Sequence, residues 1–410
     1  MFLIFLAAWA PGVFASSDAG CIAHLTGHHR EVYWAEFSPD SSKIAVIGKP
    51  DALVWETAAA RNISKVGQAV CQKQACYPYF IDNDRIVSFT TQGAFVWSAR
   101  DNRLLAEIAL DLPLMGSNAN RPSLTRHPTK PLLGVASGEN IYLFAIDGTP
   151  RLLQTISTKP TALGAIPSLE TAMAHDFDSR DPVSARLDEI FPLDNPYVKT
   201  LQFSPDGEFL AASLNGKQPL LHVYDLDGKL RAEYRAGYHP DQRSFLKFDP
   251  TDLVFNGPRR IVVGSGLGAY YDVFHFDSVS NALEPLWSYS DLHWPMVSRD
   301  GAVVAGYKDG ALTLFDTRTG DKLAETGGAS QGDQGYRVAA VSRDASLVLS
   351  ESSNPRTMTL WKRDGALLKN IFRAGDEPWA GQFSDDGKYL LITSPQVEPR
   401  LVHIEKLVGP

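Results

Sequence analysis

The sequence predicts an all-β fold, a single closed ring of eight four-stranded sheets. Three features carry that reading: a turn that recurs along the chain, short alternating strands between the turns, and two ends that together complete one sheet. The turn is clearest at Phe37-Ser38-Pro39-Asp40, Phe203-Ser204-Pro205-Asp206-Gly207 and Phe383-Ser384-Asp385-Asp386-Gly387. Weaker copies stand at Phe80-Ile81-Asp82-Asn83, Arg126-His127-Pro128-Thr129, Phe248-Asp249-Pro250-Thr251, Val297-Ser298-Arg299-Asp300-Gly301 and Val341-Ser342-Arg343-Asp344, which makes eight.

After each copy comes an apolar run such as Lys43-Ile44-Ala45-Val46-Ile47, then a polar turn, then an alternating run that ends on an aromatic. Those aromatics are Trp55, Trp97, Phe144, Tyr224, Phe274 or Phe276, Phe315 and Trp361; the eighth unit has Leu401-Val402-His403-Ile404 instead. The steps from Pro39 to Trp55, Pro128 to Phe144 and Arg299 to Phe315 are equal in length. A fourth strand follows most aromatics, as in Arg103-Leu104-Leu105-Ala106-Glu107-Ile108 and Arg151-Leu152-Leu153-Gln154-Thr155-Ile156. Four strands in about 40 to 50 residues is the period of a β-propeller blade. A single blade cannot bury both of its faces, so the units must stack, and a ring leaves only short edges.

The two ends support closure. The last unit stops after its third strand, Arg400 to Ile404, and the first strand-like segment, Cys21-Ile22-Ala23-His24-Leu25, stands where a fourth strand belongs. An N-terminal strand that completes the C-terminal blade gives eight blades, with seven as the alternative.

Gly27-His28, then Val32, then Phe37-Ser38-Pro39-Asp40, then Leu53-Val54-Trp55-Glu56 resembles a WD-repeat of a bacterial-type, exported propeller. His28 stands nine positions before Phe37, as in that family, and His239 nine before Phe248, with Tyr238 in place of the glycine. The resemblance covers nearly all of the mature chain, most copies being degenerate, and the turn is also similar to that of Tol-type propellers. It implies that the two chain ends share one blade, and that a Gly-His imidazole bonds an aspartate in the turn before the aromatic strand. Asp51 would serve His28, so His28, Asp51, Trp55 and His239 are expected to be structural.

Composition adds limits. The 410 residues would by length alone suggest more than one domain, but repeat folds run longer as one unit. The chain is 44% hydrophobic and 21% charged with a net charge of -8, so no basic excess points to nucleic acid. Met1 to Ala15 is one apolar run ending in Val13-Phe14-Ala15 and is expected to be a signal peptide, placing the protein in the periplasm or outside the cell. It departs from the usual pattern in having no Lys or Arg near Met1. No later stretch is long and apolar enough to span a membrane. Cys71 and Cys76 are close enough for a local disulfide, which an oxidising compartment favours. Cys21 is left as a free thiol in a strand or, alternatively, a lipid-modified N-terminus, although Asp18-Ala19-Gly20 before it does not suit such a signal.

One junction is long. Residues 157–197, between the third and fourth blades, form an insertion in which Asp181-Pro182 and the apolar Val183, Leu187, Ile190 and Phe191 read as a capped, short amphipathic helix.

Catalytic signatures are absent: there is no G-x-S-x-G, H-E-x-x-H, phosphate-binding loop or haem-attachment motif. Gly264-Ser265-Gly266-Leu267-Gly268 lies between two strands and reads as a hairpin turn. His175-Asp176-Phe177-Asp178-Ser179-Arg180-Asp181 has the oxygen count for calcium but lacks the loop glycine and distal Glu, so it reads as a solvated acidic loop. No metal or cofactor is called for.

The junctions that lead into each innermost strand should gather at one mouth of the ring. Four to six positions before each turn stand Tyr33, Arg121, Tyr197, Arg243, His293, Arg337 and Trp379, with Trp294 and Tyr336 adjoining. Arg, Tyr and Trp dominate interaction hot spots, whereas in the plainer reading the rings pack between blades and the arginines are solvated. The expected function is non-enzymatic binding of a protein or peptide, as a scaffold. The alternative is a hydrolase or lactonase-like enzyme with a metal or carboxylate site in the central channel. A lipid-anchored assembly subunit, resting on Cys21, is a third reading.

Overall fold

The structure is a computed structural model. It describes residues 22–26, 32–48, 52–66, 77–90, 93–109, 123–158, 197–215, 220–235, 250–265, 271–289, 292–326, 337–353, 356–372, 380–393 and 398–408. They form eight four-stranded antiparallel sheets, each a blade.

The first strand, β1 (Ile22–His24), belongs to the last blade. Blade 1 is β2 (Val32–Phe37), β3 (Lys43–Gly48), β4 (Ala52–Glu56) and β5 (Arg61–Val66). Blade 2 is β6 (Tyr77–Phe80), β7 (Arg85–Thr90), β8 (Gly93–Ser98) and β9 (Leu104–Ala109). Blade 3 is β10 (Ser123–Arg126), β11 (Leu132–Ser137), β12 (Asn140–Ala145) and β13 (Arg151–Ser157). Blade 4 is β14 (Tyr197–Phe203), β15 (Phe209–Asn215), β16 (Leu220–Asp225) and β17 (Leu230–Arg235). Blade 5 is β18 (Pro250–Phe255), β19 (Arg260–Ser265), β20 (Tyr271–Asp277) and β21 (Ala282–Tyr289). Blade 6 is β22 (His293–Val297), β23 (Val303–Lys308), β24 (Ala311–Asp316) and β25 (Lys322–Glu325). Blade 7 is β26 (Arg337–Val341), β27 (Leu347–Ser353), β28 (Arg356–Lys362) and β29 (Leu367–Phe372). Blade 8 is β30 (Ala380–Phe383), β31 (Tyr389–Thr393) and β32 (Arg400–His403), with β1 as its fourth strand. Among the described residues the one helix, α1 (Ile404–Val408), follows β32.

The recurrent turn is a local hydrogen-bond device. The buried Ser38 hydroxyl donates to Asp40 Oδ1 at 2.7 Å and accepts the Lys43 N–H at 2.9 Å, while Asp40 accepts the Ser42 N–H at 3.0 Å. Ser204, Ser298, Ser342 and Ser384 repeat the arrangement with Asp206, Asp300, Asp344 and Asp386. Burial works to raise the Asp40 and Asp206 carboxyls, but their backbone and hydroxyl donors outweigh it and hold both below the ordinary range. In blade 3 a histidine does the serine's work: His127 Nδ1 accepts the Thr129 and Lys130 N–H groups. The proton therefore lies on Nε2, which faces the Gly207 carbonyl of blade 4 at 3.0 Å.

The fifth turn corrects the sequence reading. Pro250-Thr251, assigned above to a turn, begin β18, and the turn is Asn256-Gly257-Pro258-Arg259, where the Asn256 N–H bonds the Arg260 carbonyl. With neither Ser nor Asp in it, this copy escapes a search keyed to those residues. His239 and Arg243, placed relative to Phe248, lie outside the described residues.

The terminal aromatics are all in third strands, and each sits at a register shift against the fourth. The shift falls just before Trp55, Trp97, Phe144, Tyr224, Phe274, Phe315 and Trp361. A bulge there adds twist, and it selects Phe274 rather than Phe276 as the fifth member. Blade 8 has Val402 at this position, and its pairing with β1 runs without a shift. In blades 2 and 7 the indole N–H also donates to a second-strand serine, Trp97 to Ser88 and Trp361 to Ser350, both at 2.8 Å.

Apolar clusters bridge all eight junctions between neighbouring blades. The junction of blades 8 and 1 contains Leu25, Leu391 and Leu401 against Val32, Ile44 and Val46. Leu25 is fully buried, and its N–H bonds the Pro399 carbonyl at 2.9 Å. The expected lock of His28 on Asp51 lies outside the described residues, as do Cys71, Cys76, Cys21, residues 1–15 and most of the 157–197 insertion. Trp55 is buried.

Leu25→Ala should lower stability by about 2–5 kcal/mol, because a buried leucine is lost from the junction that closes the ring. Urea unfolding measures this; a loss below about 1 kcal/mol would show that the segment after β1 does not close the ring.

Candidate functional site

Every blade begins at its innermost strand, so the leading ends of β2, β6, β10, β14, β18, β22, β26 and β30 lie at one end of the channel. Of the predicted residues, three have described side chains, each near the leading end of an innermost strand: Tyr197 opens β14, Trp294 is the second residue of β22, and Arg337 opens β26. Tyr33 and His293 lie in β2 and β22, with side chains outside the described set; Arg121, Arg243, Tyr336 and Trp379 lie outside it altogether. Arg337 does not face solvent freely, because its guanidinium pairs with Glu351 on the neighbouring strand. Tyr197 is half-buried.

The innermost strands are irregular at this end. Register shifts fall between Val32 and Trp34, Val198 and Thr200, Pro250 and Asp252, His293 and Met296, and Val338 and Ala340. Bulges re-aim side chains, and pattern reading misses them because it counts strict alternation.

Trp294 is the product of one such bulge. It is 54% exposed and has φ 45°, a left-handed conformation that a bulky side chain rarely adopts. The structure behind it enforces that conformation. Trp294 and Pro295 stand opposite Gly306 alone, and a Cβ on Gly306 would lie 3.0 Å from Pro295 Cβ, so a side chain there would crowd the bulge. The buried Tyr271 ring lies over Gly264, where a Cβ would come within 2.5 Å of Cζ. Its hydroxyl donates to Asp252 Oδ2 at 2.5 Å and lies 3.2 Å from the Pro295 carbonyl. Burial raises the Asp252 carboxyl above its ordinary range, opposed by the Tyr271 hydroxyl. Asp252, Tyr271 and Gly306 carried no sequence motif, and only the fold unites them.

The opposite end of the channel is tied by charge. Arg126 of blade 3 reaches past blade 2 to Glu36 of blade 1 at 2.8 Å and also donates to the Phe80 carbonyl at 2.8 Å through Nε. Arg299 of blade 6 reaches past blade 7 to Asp385 of blade 8 at 2.5 Å. Burial raises the Glu36 carboxyl, with Arg126 and then Arg299 opposing it.

Other buried polar groups lie between blades. In blade 4 His222 Nδ1 is 2.7 Å from the Tyr224 hydroxyl and Nε2 is 2.9 Å from Glu233. In blade 5 burial pushes Asp272 up to about 6, against a hydrogen bond from Ser288. Among the described residues no three His, Cys, Asp or Glu side chains are placed to hold a metal ion. Among them, too, no helix is long and apolar enough to cross a membrane.

No family model matches the chain, and no curated protein matches its sequence. Solved structures do share the architecture, that of a β-propeller. The chain resembles Chaetomium thermophilum Sqt1, solved bound to the N-terminus of the ribosomal protein L10, with 15% identity and a TM-score of 0.60 over 93% of this chain and 99% of that one. It also resembles the Dos1 propeller, with 12% identity and a TM-score of 0.58 over 94% of each chain. At such identities the likeness is one of fold.

The Asp272 carboxyl ionises near its ordinary 3.8 when unfolded and only at about 6 when folded. Its contribution to stability is therefore full below pH 3.8 and is lost as the pH rises through about 6. Asp272→Asn should be more stable than the native chain at pH 8, by up to about 3 kcal/mol, and no more stable near pH 3.5. Denaturant titrations at the two pH values test this; an equal or weaker variant at pH 8 would contradict it.

Proposed function

We propose that this chain is a non-enzymatic propeller that binds a protein or peptide partner at the channel mouth where Trp294 stands. The observation that carries the reading is the exposed indole on left-handed backbone. Backbone strain of this kind costs of the order of 1–3 kcal/mol, and an exposed tryptophan forgoes burial that would stabilise the fold. A side chain retained at such cost, and held by Pro295 on Gly306, is suited to contact something outside the chain. The likeness to Sqt1, solved with a peptide segment of another protein, supports a protein partner. Tyr197 and Arg337 extend the surface to blades 4 and 7.

We propose further that the protein works as a scaffold outside the cytoplasm, in the periplasm or secreted; the apolar run Met1 to Ala15 supports this. The mass of the mature chain would then begin at Ser16, and an intact Met1 would contradict export by cleavage.

Trp294→Gly separates fold from function. Glycine adopts φ 45° without strain, which offsets its greater freedom in the unfolded chain, so stability should stay within about 1 kcal/mol of the native value. Thermal unfolding is the measurement. A loss of more than about 2 kcal/mol would mean that the indole holds the fold, and would remove the ground for a binding role.

A further inference from the structure

The cluster behind Trp294 is short of hydrogen-bond donors. Tyr271 of blade 5 has one hydroxyl proton and two oxygens to serve, Asp252 Oδ2 at 2.5 Å and the Pro295 carbonyl of blade 6 at 3.2 Å. Asp252 stands near the leading end of the innermost strand β18 and is partly exposed, and its Oδ1 makes no hydrogen bond with a described residue. Burial raises its carboxyl, only the Tyr271 hydroxyl opposes the rise, and no lysine or arginine among the described residues offsets it. Arg337, at the head of blade 7, is paired with Glu351 instead. Trp294 directly precedes Pro295, which places its exposed indole next to this cluster.

We propose that this corner of the mouth, between blades 5 and 6, takes a basic side chain, lysine or arginine, of the bound protein partner, with its cationic head on Asp252 and its stem along the Trp294 indole. The inference deepens the peptide-binding reading and rests on it. A cation supplies what the cluster lacks. Its N–H groups reach Oδ1, and with Asp252 so engaged the Tyr271 proton is free to serve the Pro295 carbonyl. A neutral hydroxyl or amide would bring a donor but leave the desolvated charge without a counter-charge. An aliphatic group would strand Oδ1 away from water, and a carboxylate would be repelled. The indole selects in the same direction, because its face attracts a cation and its edges cover the methylene stem of a long basic side chain. The net charge of -8 on the whole chain favours the approach of a basic segment.

The corner is set before the partner arrives. Pro295 lies against Gly306 and the Tyr271 ring over Gly264, so the bulge and the hydroxyl are both held by close packing. Little ordering is left to be done on binding, which is the usual source of affinity in a preformed site. Tyr271 is a positioning residue, since it orients Asp252 and Pro295, whereas Asp252 and Trp294 touch the partner.

The test selects short random displayed peptides on the immobilised full-length chain and measures their affinities by titration calorimetry. The enriched peptides should share a lysine or arginine. Replacing that residue by glutamine should weaken binding about 30-fold or more, and Asp252→Asn, which keeps the shape of the side chain, should weaken the basic peptide by a similar factor. The same variant should bind the glutamine peptide nearly as the native chain does, a coupling that general damage to the fold would not produce. Trp294→Ala should weaken the basic peptide about tenfold, and Trp294→Phe should retain most of the affinity. Peptides that share no basic residue, or a basic peptide that Asp252→Asn weakens no more than its glutamine analogue, would overturn this inference and leave the peptide-binding reading standing. Failure to enrich any peptide, or binding indifferent to Trp294→Ala, would overturn both.

Discussion

No blade of this chain can keep its faces out of water alone. Each sheet is apolar on both sides, and the eight clusters that cover those sides are all shared between neighbours. An open stack would leave two apolar faces exposed at its ends, so ring closure is the constraint on which everything else depends. The chain meets it by placing β1 beside β32, with Ile22, Ala23 and His24 opposite Val402, Leu401 and Arg400. Blade 8 is therefore built from both ends of the sequence, and unfolding of either end opens the whole ring.

Closure also divides the labour between the two ends of the channel. The turn end is dense with local satisfaction: serines, aspartates and His127 take up the backbone groups of each turn, and Arg126 and Arg299 tie blades that are not neighbours. The other end carries the departures from regularity. Five of the innermost strands shift register there, and one of those shifts turns an indole outward on strained backbone. Rigid at one end, the ring can present an unfavourable conformation at the other without losing its shape.

The blade count, the four-strand unit and the terminal aromatics were legible in the sequence because each rests on residues that repeat at regular spacing, and the shared last blade because a lone strand at the start matches the strand missing at the end. The fifth turn was not, because Asn256-Gly257-Pro258-Arg259 shares no side-chain chemistry with Ser38-Pro39-Asp40. That one error displaced Arg243 from the position it was meant to occupy. At the mouth, Tyr197, Trp294 and Arg337 were identified by their place before a turn. Their different states, half-buried, exposed and ion-paired, depend on bulges and on Glu351, which alternation alone does not encode. The support of Trp294 by Tyr271, Asp252 and Gly306 joins residues from two blades, so only the folded ring reveals it.

The claim that both chain ends seal one blade is open to direct measurement by amide hydrogen exchange. The account predicts that the Ala23 and Leu25 amides of this edge strand, which point toward β32, are protected much as those of Arg400 to His403 are, the Leu25 N–H through its bond to the Pro399 carbonyl. Rapid exchange of the Ala23 and Leu25 amides beside a protected Arg400 to His403 would contradict closure by β1, and with it the ring that holds Trp294 in place.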